Sequence, residues 1–89
     1  MSKSTDEVRL DDVVGIVAVQ LGRREISPDD RIIEDLGAES LDVVNIVAAV
    51  EDRYRIRIEE QELPDLRTVR DLHGCARAKV EERSDSAGD

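Results

Sequence analysis

Three stretches of this 89-residue chain repeat aliphatic side chains every three or four residues, and this spacing constrains the fold more than any other feature. Side chains so spaced share one face of an α-helix, which can pack on a common core. With one tyrosine and no phenylalanine or tryptophan, that core must consist of Val, Ile, Leu and Ala. We therefore predict an all-α fold, a small four-helix bundle with three longer helices and one short helix.

The first predicted helix runs from about Asp6 to Leu21, with Thr5 or Asp6 as its N-cap and Gly22 as its C-cap. Its stripe consists of Leu10, Val13, Val14, Val17 and Leu21. A long loop follows, from Arg23 to about Glu39. We expect four aliphatic side chains to anchor it in the core: Ile26, Ile32, Ile33 and Leu36.

The second predicted helix runs from Ser40 or Leu41 to about Tyr54, with Ser40 where an N-cap belongs. Its core stripe is Val44, Val47, Val50 and Tyr54, with Leu41 and Ile46 flanking it. Leu36 and Leu41 are expected to anchor the turn around Gly37 from both sides.

The last third of the chain predicts a connector and two further helices. Residues 55–58 alternate like a strand, but without a second strand they are expected to be an extended connector that buries Ile56 and Ile58. One helical turn follows and ends before Pro64. The last helix starts after a Thr68 cap and ends near Val80, with a stripe of Val69, Leu72, Ala76 and Val80. The predicted single domain spans 1–89, with a folded core at about 6–81 and flexible tails at 1–5 and 82–89.

The net charge is −9, which argues against binding to nucleic acid or anionic lipid and favours basic protein partners. Between Glu25 and Asp52 nine acids face one base, Arg31, whereas Arg53, Arg55 and Arg57 follow without an acid among them. A single cysteine, no apolar leader and no long apolar run together indicate a cytoplasmic location.

The junction at Ser40 is the candidate site. A serine that opens a helix lies beside free backbone N–H groups and the positive end of the helix dipole, an environment that suits a phosphate on its oxygen. Capping alone also explains such a serine, and residue chemistry leaves both interpretations open. Elsewhere we find no catalytic set: His73 and Cys75 are two residues apart on a helix and do not face each other, and no metal-ligand spacing occurs. We expect Cys75 to be a small core or half-buried residue.

Residues 35–42, Asp-Leu-Gly-Ala-Glu-Ser-Leu-Asp, resemble the phosphopantetheine attachment motif of acyl carrier proteins of the discrete type. The likeness extends over roughly residues 8 to 80, including the helix 43–54 and the segment 66–72. It implies that Ser40 bears 4′-phosphopantetheine, added from coenzyme A by a phosphopantetheinyl transferase that supplies its own Mg²⁺. The chain would then be a carrier of acyl thioesters, not an enzyme, and a monomer that delivers acyl groups to synthases of fatty-acid or polyketide type.

The resemblance also implies a docking surface for basic patches on ketosynthases, acyltransferases or other acyl-handling enzymes. Its candidate residues are Asp35, Glu39, Leu41, Asp42, Ala48, Glu51 and Asp52. Glu39, Asn45 and the arginines at 53, 55 and 57 depart from the family pattern and favour a carrier with dedicated partners, as in polyketide or other specialised pathways. Two alternatives stay open: a peptidyl or aminoacyl carrier of a non-ribosomal pathway, and an acidic helical interaction module in which Ser40 only caps.

Overall fold

The computed structural model describes residues 7–88, with side chains up to residue 82. Its helices in chain order are α1 (Leu10–Leu21), α2 (Ser40–Tyr54), a 3₁₀ helix (Glu60–Asp65) and α3 (Val69–Gly88). Within this part of the chain the β-structure amounts to one isolated bridge between Arg31 and Thr68. The predicted all-α bundle of three longer helices and one short helix is confirmed. None of the described helices is both long and apolar enough to span a membrane.

The three longer helices pack around one aliphatic core, and its largest fully buried side chains are Val13, Val17, Ile46, Val50, Val69 and Leu72. On α3 the predicted stripe is confirmed in full, since all four of its side chains are buried. Removal of such side chains from water is the main favourable term for a fold of this size. Among the described residues no polar or charged residue is buried, so the charges lie at the surface or at its edge.

The start of α1 differs from the prediction, and its end agrees. The helix begins at Leu10 after an extended Arg9, four residues later than expected, and the proposed caps Thr5 and Asp6 lie outside the described residues. Before the helix, Val8 is buried and its carbonyl contacts His73 Nε2 at 2.9 Å. That packing against α3 keeps the segment extended. Gly22 ends the helix in the left-handed conformation (φ 67°), as predicted.

The long loop contributes to the core, though not through every predicted anchor. Ile32 and Leu36 are buried and Ile26 is half-buried, as expected, but Ile33 is 55% exposed and Ala38 takes its place inside. The Ile32 amide donates to the Arg67 carbonyl at 2.8 Å. This bond holds the loop against the start of α3, and the turn that follows leaves Ile33 outside and returns Leu36 to the core.

The connector after α2 behaves as predicted, with Ile58 buried and Ile56 packed against the core. The 3₁₀ helix differs, because it contains Pro64 and ends at Asp65 instead of stopping before the proline. Without an N–H, Pro64 forfeits only the bond that residue 64 would donate back to the Gln61 carbonyl, and the Leu66 amide still donates to the Leu63 carbonyl at 3.0 Å.

Thr68 caps α3 as expected: its Oγ1 accepts the Asp71 amide at 3.0 Å, and the Asp71 carboxylate accepts the Thr68 amide at 3.1 Å. The helix continues to Gly88, beyond the predicted end at Val80. The backbone that we assigned to a tail from residue 82 is therefore helical as far as residue 88. The tail at 1–5 lies outside the described residues, and the boundaries of the folded domain stay a prediction.

Candidate functional site

The segment before Ser40 is a turn held from inside the bundle. Leu36 and Ala38 are buried, and between them Gly37 has a positive φ of 74°, which glycine adopts without steric cost. The Gly37 amide donates to the Ile33 carbonyl at 3.0 Å, and the Ala38 amide donates to the Ile32 carbonyl at 3.1 Å. The chain therefore reaches α2 from a fixed point.

Ser40 is the first residue of α2 and is exposed, whereas we predicted it as the N-cap. The N-cap is Glu39, which forms a capping box with Asp42: the Asp42 carboxylate accepts the Glu39 amide at 2.9 Å. Because this acidic pair caps the helix, the Ser40 hydroxyl is not required for that purpose. Capping alone thus no longer explains the serine.

The position of Ser40 suits a covalently held phosphodiester. The oxygen of the first helical residue lies beside backbone N–H groups of the first turn and the positive end of the helix dipole. An anion there interacts favourably, and the exposed side chain leaves room for a substituent that extends away from the bundle. This chain can therefore hold a group of that chemistry at Ser40.

Next to this position, α2 presents an exposed apolar stripe, which we define as Leu41, Val44 and Ala48. Leu41 is 67% exposed, so its expected role as a core anchor is wrong, and its role as a candidate docking residue agrees with its position. Val44 is 52% exposed where we predicted core, whereas Ile46 is buried. The other three residues of the predicted stripe, Val47, Val50 and Tyr54, are buried as expected, and Ile46 replaces Val44 in the core.

The candidate acids around the stripe have different surroundings. The Asp35 carboxylate accepts the Arg31 backbone amide at 2.8 Å and pairs with the Arg31 guanidinium at 3.3 Å. The backbone amide first, and the guanidinium second, hold the pKa of Asp35 below its ordinary range. Glu51 is half-buried, and its Oε2 accepts the Ile58 amide at 2.7 Å. Glu39 and Asp52 are exposed. Glu51 thus ties the connector to α2, a role that sequence reasoning missed.

The basic residues lie at the opposite end of α2. Arg53 pairs with Asp12 of α1 at 3.7 Å and lies over the Tyr54 ring, 5.4 Å from its centroid. Arg57 pairs loosely with Glu59 at 3.9 Å, and Arg55 ends the helix at a positive φ of 57°. The last turn of α2 is therefore mixed in charge, with Arg53 beside Glu51 and Asp52, and Arg55 and Arg57 follow it.

The remaining reactive side chains take structural positions. His73 Nε2 contacts the Val8 carbonyl, while Cys75 Sγ donates to Glu62 Oε1 at 3.6 Å. Burial, together with the neighbouring Glu62 carboxylate, raises the pKa of the half-buried Cys75 thiol, which disfavours the nucleophilic thiolate. Within residues 7–82 no group of three or more His, Cys, Asp or Glu side chains is arranged to hold a metal ion.

Comparisons with known proteins find similar sequences and a similar fold. A family model described as "Phosphopantetheine attachment site" matches residues 11–75. The acyl carrier protein of Syntrophobacter fumaroxidans is 40% identical over 62 residues, which cover 67% of this chain and 76% of that protein. The acyl carrier protein of Helicobacter hepaticus is 42% identical over 62 residues, covering 67% and 82% respectively.

The fold also has a solved counterpart. A chain in the structure described as "The ishigamide ketosynthase/chain length factor" superposes with a TM-score of 0.68 at 29% sequence identity. The match covers 82% of the present chain and 94% of that chain.

Proposed function

This chain belongs to the acyl carrier protein family, and from that premise we propose that its covalently attached 4′-phosphopantetheine is held by Ser40. The observation that carries the proposal is the position of the serine: exposed, first in α2, and relieved of capping by Glu39 and Asp42. When bound, the group supplies a terminal thiol on which acyl groups travel as thioesters. Proteins of this family are carriers, not catalysts.

Attachment requires a phosphopantetheinyl transferase, of which this chain is the substrate. The Ser40 oxygen forms a new bond to the phosphorus that bears the pantetheine, the diphosphate bond of coenzyme A breaks, and adenosine bisphosphate leaves. The serine proton passes to a base of the transferase, whose Mg²⁺ assists the departure. Ser40 itself needs only exposure and a fixed position, and both agree with its surroundings in this chain.

Acyl-handling enzymes dock, in this proposal, on the surface around Ser40 and the exposed stripe of α2. The proposed contacts are Asp35, Glu39, Leu41, Asp42, Ala48, Glu51 and Asp52. Exposed charge pairs contribute about 0.2–1 kcal/mol each, so several together give fast, salt-sensitive and short-lived encounters. A carrier that must leave each partner needs contacts of this kind.

We further propose that the partners belong to a polyketide-type or other specialised pathway. Three arginines at and just after the end of α2, Arg53, Arg55 and Arg57, support partners that also present a locally acidic surface. The similarity to a chain in a ketosynthase/chain length factor structure supports a condensing enzyme as one of these partners. A cytoplasmic location and a monomeric state complete the proposal, testable by fractionation and by sedimentation.

Intact mass tests the attachment site. The protein is incubated with coenzyme A, Mg²⁺ and a phosphopantetheinyl transferase of broad specificity, and wild type is expected to gain one phosphopantetheinyl group. Ser40→Ala is expected to gain none. Ser27→Ala is the matched control, because Ser27 is also an exposed serine, placed in the loop, where its Oγ accepts the Asp29 amide at 3.2 Å. A modified Ser40→Ala protein would refute the assignment.

Loading of the modified protein distinguishes the pathways. A malonyl or other acyl group offered by an acyltransferase is expected to appear on the arm, whereas an adenylation domain offering an amino acid is expected to leave it free. Aminoacyl loading alone would establish the peptidyl carrier alternative instead.

A further inference from the structure

Arg23 connects the end of α1 to the turn that precedes Ser40. It follows Gly22, and its amide donates to the Ala18 carbonyl at 2.9 Å, so the end of α1 determines where its side chain begins. Its Nη1 donates to the Leu36 carbonyl at 3.1 Å, across thirteen residues and in a partly buried setting. A guanidinium holds a carbonyl with a charged, directional hydrogen bond that persists over the range of pH in which proteins function.

The bonded carbonyl belongs to the peptide that joins Leu36 to Gly37. The amides on both sides are already held, because Leu36 N donates to the Arg31 carbonyl at 3.0 Å and Gly37 N donates to the Ile33 carbonyl at 3.0 Å. Arg23 provides the remaining restraint at this peptide, on its carbonyl side. Without it the Leu36 carbonyl exchanges its partner for water, and rotation at Gly37 becomes easier.

We propose that Arg23 is a positioning residue for the modification of Ser40: by fixing the Leu36–Gly37 peptide it fixes where the chain enters α2 and hence where the hydroxyl stands. This inference rests on the proposed function of Ser40. In group transfer a displacement of about 1 Å in an attacking atom can cost up to about a hundredfold in rate. A turn held at the amide and the carbonyl presents Ser40 in one place.

The test compares three variants of the full-length protein. Arg23→Ala removes the hydrogen bond, and Arg24→Ala removes the same charge from the exposed neighbouring position. Arg70→Ala removes a different loop contact, the Arg70–Asp29 pair at 2.8 Å, and serves as the control for general loss of stability. The kinetics of arm transfer from coenzyme A, followed by intact mass well below each melting temperature, give kcat and KM for the carrier.

For Arg23→Ala we expect kcat to fall about fivefold with KM changed less than twofold, because the docking side chains are intact while the hydroxyl is misplaced. Arg24→Ala and Arg70→Ala are expected to retain the wild-type kcat. Arg23→Lys, which keeps a charged donor, is expected to recover part of the loss. An unchanged kcat in Arg23→Ala, an equal fall in Arg70→Ala, or a rise in KM alone would each overturn the proposal.

Hydrogen exchange of the unmodified protein separates this inference from the proposed function. The amides of residues 37–40 are expected to exchange faster in Arg23→Ala than in wild type and Arg24→Ala. If wild type gains no arm, the proposed function fails, and the exchange result alone decides whether Arg23 fixes the turn. Equal exchange in all variants would refute the positioning role even if Ser40 is modified.

Discussion

Single acids on the surface of this protein differ in what they do, and Glu51 and Asp52 show the difference. They are adjacent on α2, but Glu51 is half-buried and accepts the Ile58 amide, while Asp52 is exposed. The Glu51 bond fixes the connector that buries Ile58. A carboxylate in a run of candidate docking acids can therefore be part of the framework of the fold.

We expect Glu51→Ala to lower the free energy of unfolding by about 1–2 kcal/mol, because the partly buried Ile58 amide loses its charged acceptor. Asp52→Ala removes the same charge without that bond and should change stability by less than about 0.5 kcal/mol. Urea unfolding followed by circular dichroism measures both. Equal stabilities of the two variants would contradict the role of Glu51.

At the scale of elements, the 3₁₀ helix is joined to α3 through Glu62. The Oε2 of Glu62 accepts the Glu59 amide at 2.9 Å and pairs with Lys79 Nζ at 2.9 Å. The pKa of Glu62 is below its ordinary value, chiefly because its carboxylate accepts the Glu59 amide and secondly because it pairs with Lys79. A carboxyl whose pKa is lower when folded stabilises the fold above its unfolded pKa and loses that contribution as the pH falls through the folded pKa.

We therefore expect Glu62→Gln to lower the melting temperature at about pH 6 and to converge on wild type as the pH falls through the lowered folded pKa of Glu62, where the wild-type carboxyl becomes protonated. The difference between the two proteins is the measured quantity, because Asp29 and Asp35 also have lowered pKa values and titrate in both. Glu60→Gln, on an exposed residue of the same helix, is the matched control. A gap between wild type and Glu62→Gln that stays constant as the pH falls from about 6 until both proteins unfold would contradict the linkage.

At the scale of the whole molecule, charge acts collectively. The net charge is −9 on a protein with a radius of gyration of 13.0 Å, comparable to the screening length of about 10 Å at 0.1 M salt. The acids of the proposed docking surface are thus expected to steer basic partners at low salt and to lose that influence as salt is added.

We expect the kcat/KM for arm transfer to fall about tenfold between about 20 and 300 mM NaCl. The combined variant Asp35→Asn, Glu39→Gln, Asp52→Asn should flatten this dependence. A second triple, Asp11→Asn, Glu60→Gln, Asp65→Asn, makes the same chemical changes at exposed acids outside the proposed docking surface and should leave most of the salt dependence. Equal flattening by both would mean that net charge, not the proposed docking surface, determines the encounter.

The sequence by itself determined the number and order of the helices, the αL glycine after α1, the Thr68 cap and the α3 stripe, because these depend on the identity and spacing of neighbouring residues. It also indicated the segment around Ser40 as the candidate site. The exposure of Ile33, Leu41 and Val44 was decided only by the tertiary structure. On a helix with aliphatic residues on more than one side, packing selects which side faces inward, and no local pattern contains that choice.

Contacts between distant residues were likewise settled only by the folded chain. Arg23 and Leu36 are thirteen residues apart, and His73 and Val8 sixty-five, so neither pairing leaves a periodic trace in the sequence. The N-cap of α2 is Glu39 and not Ser40, because the path of the preceding turn determines which residue precedes the first turn of the helix. Local spacing thus accounts for the elements, and packing accounts for their orientation and for the support beneath Ser40.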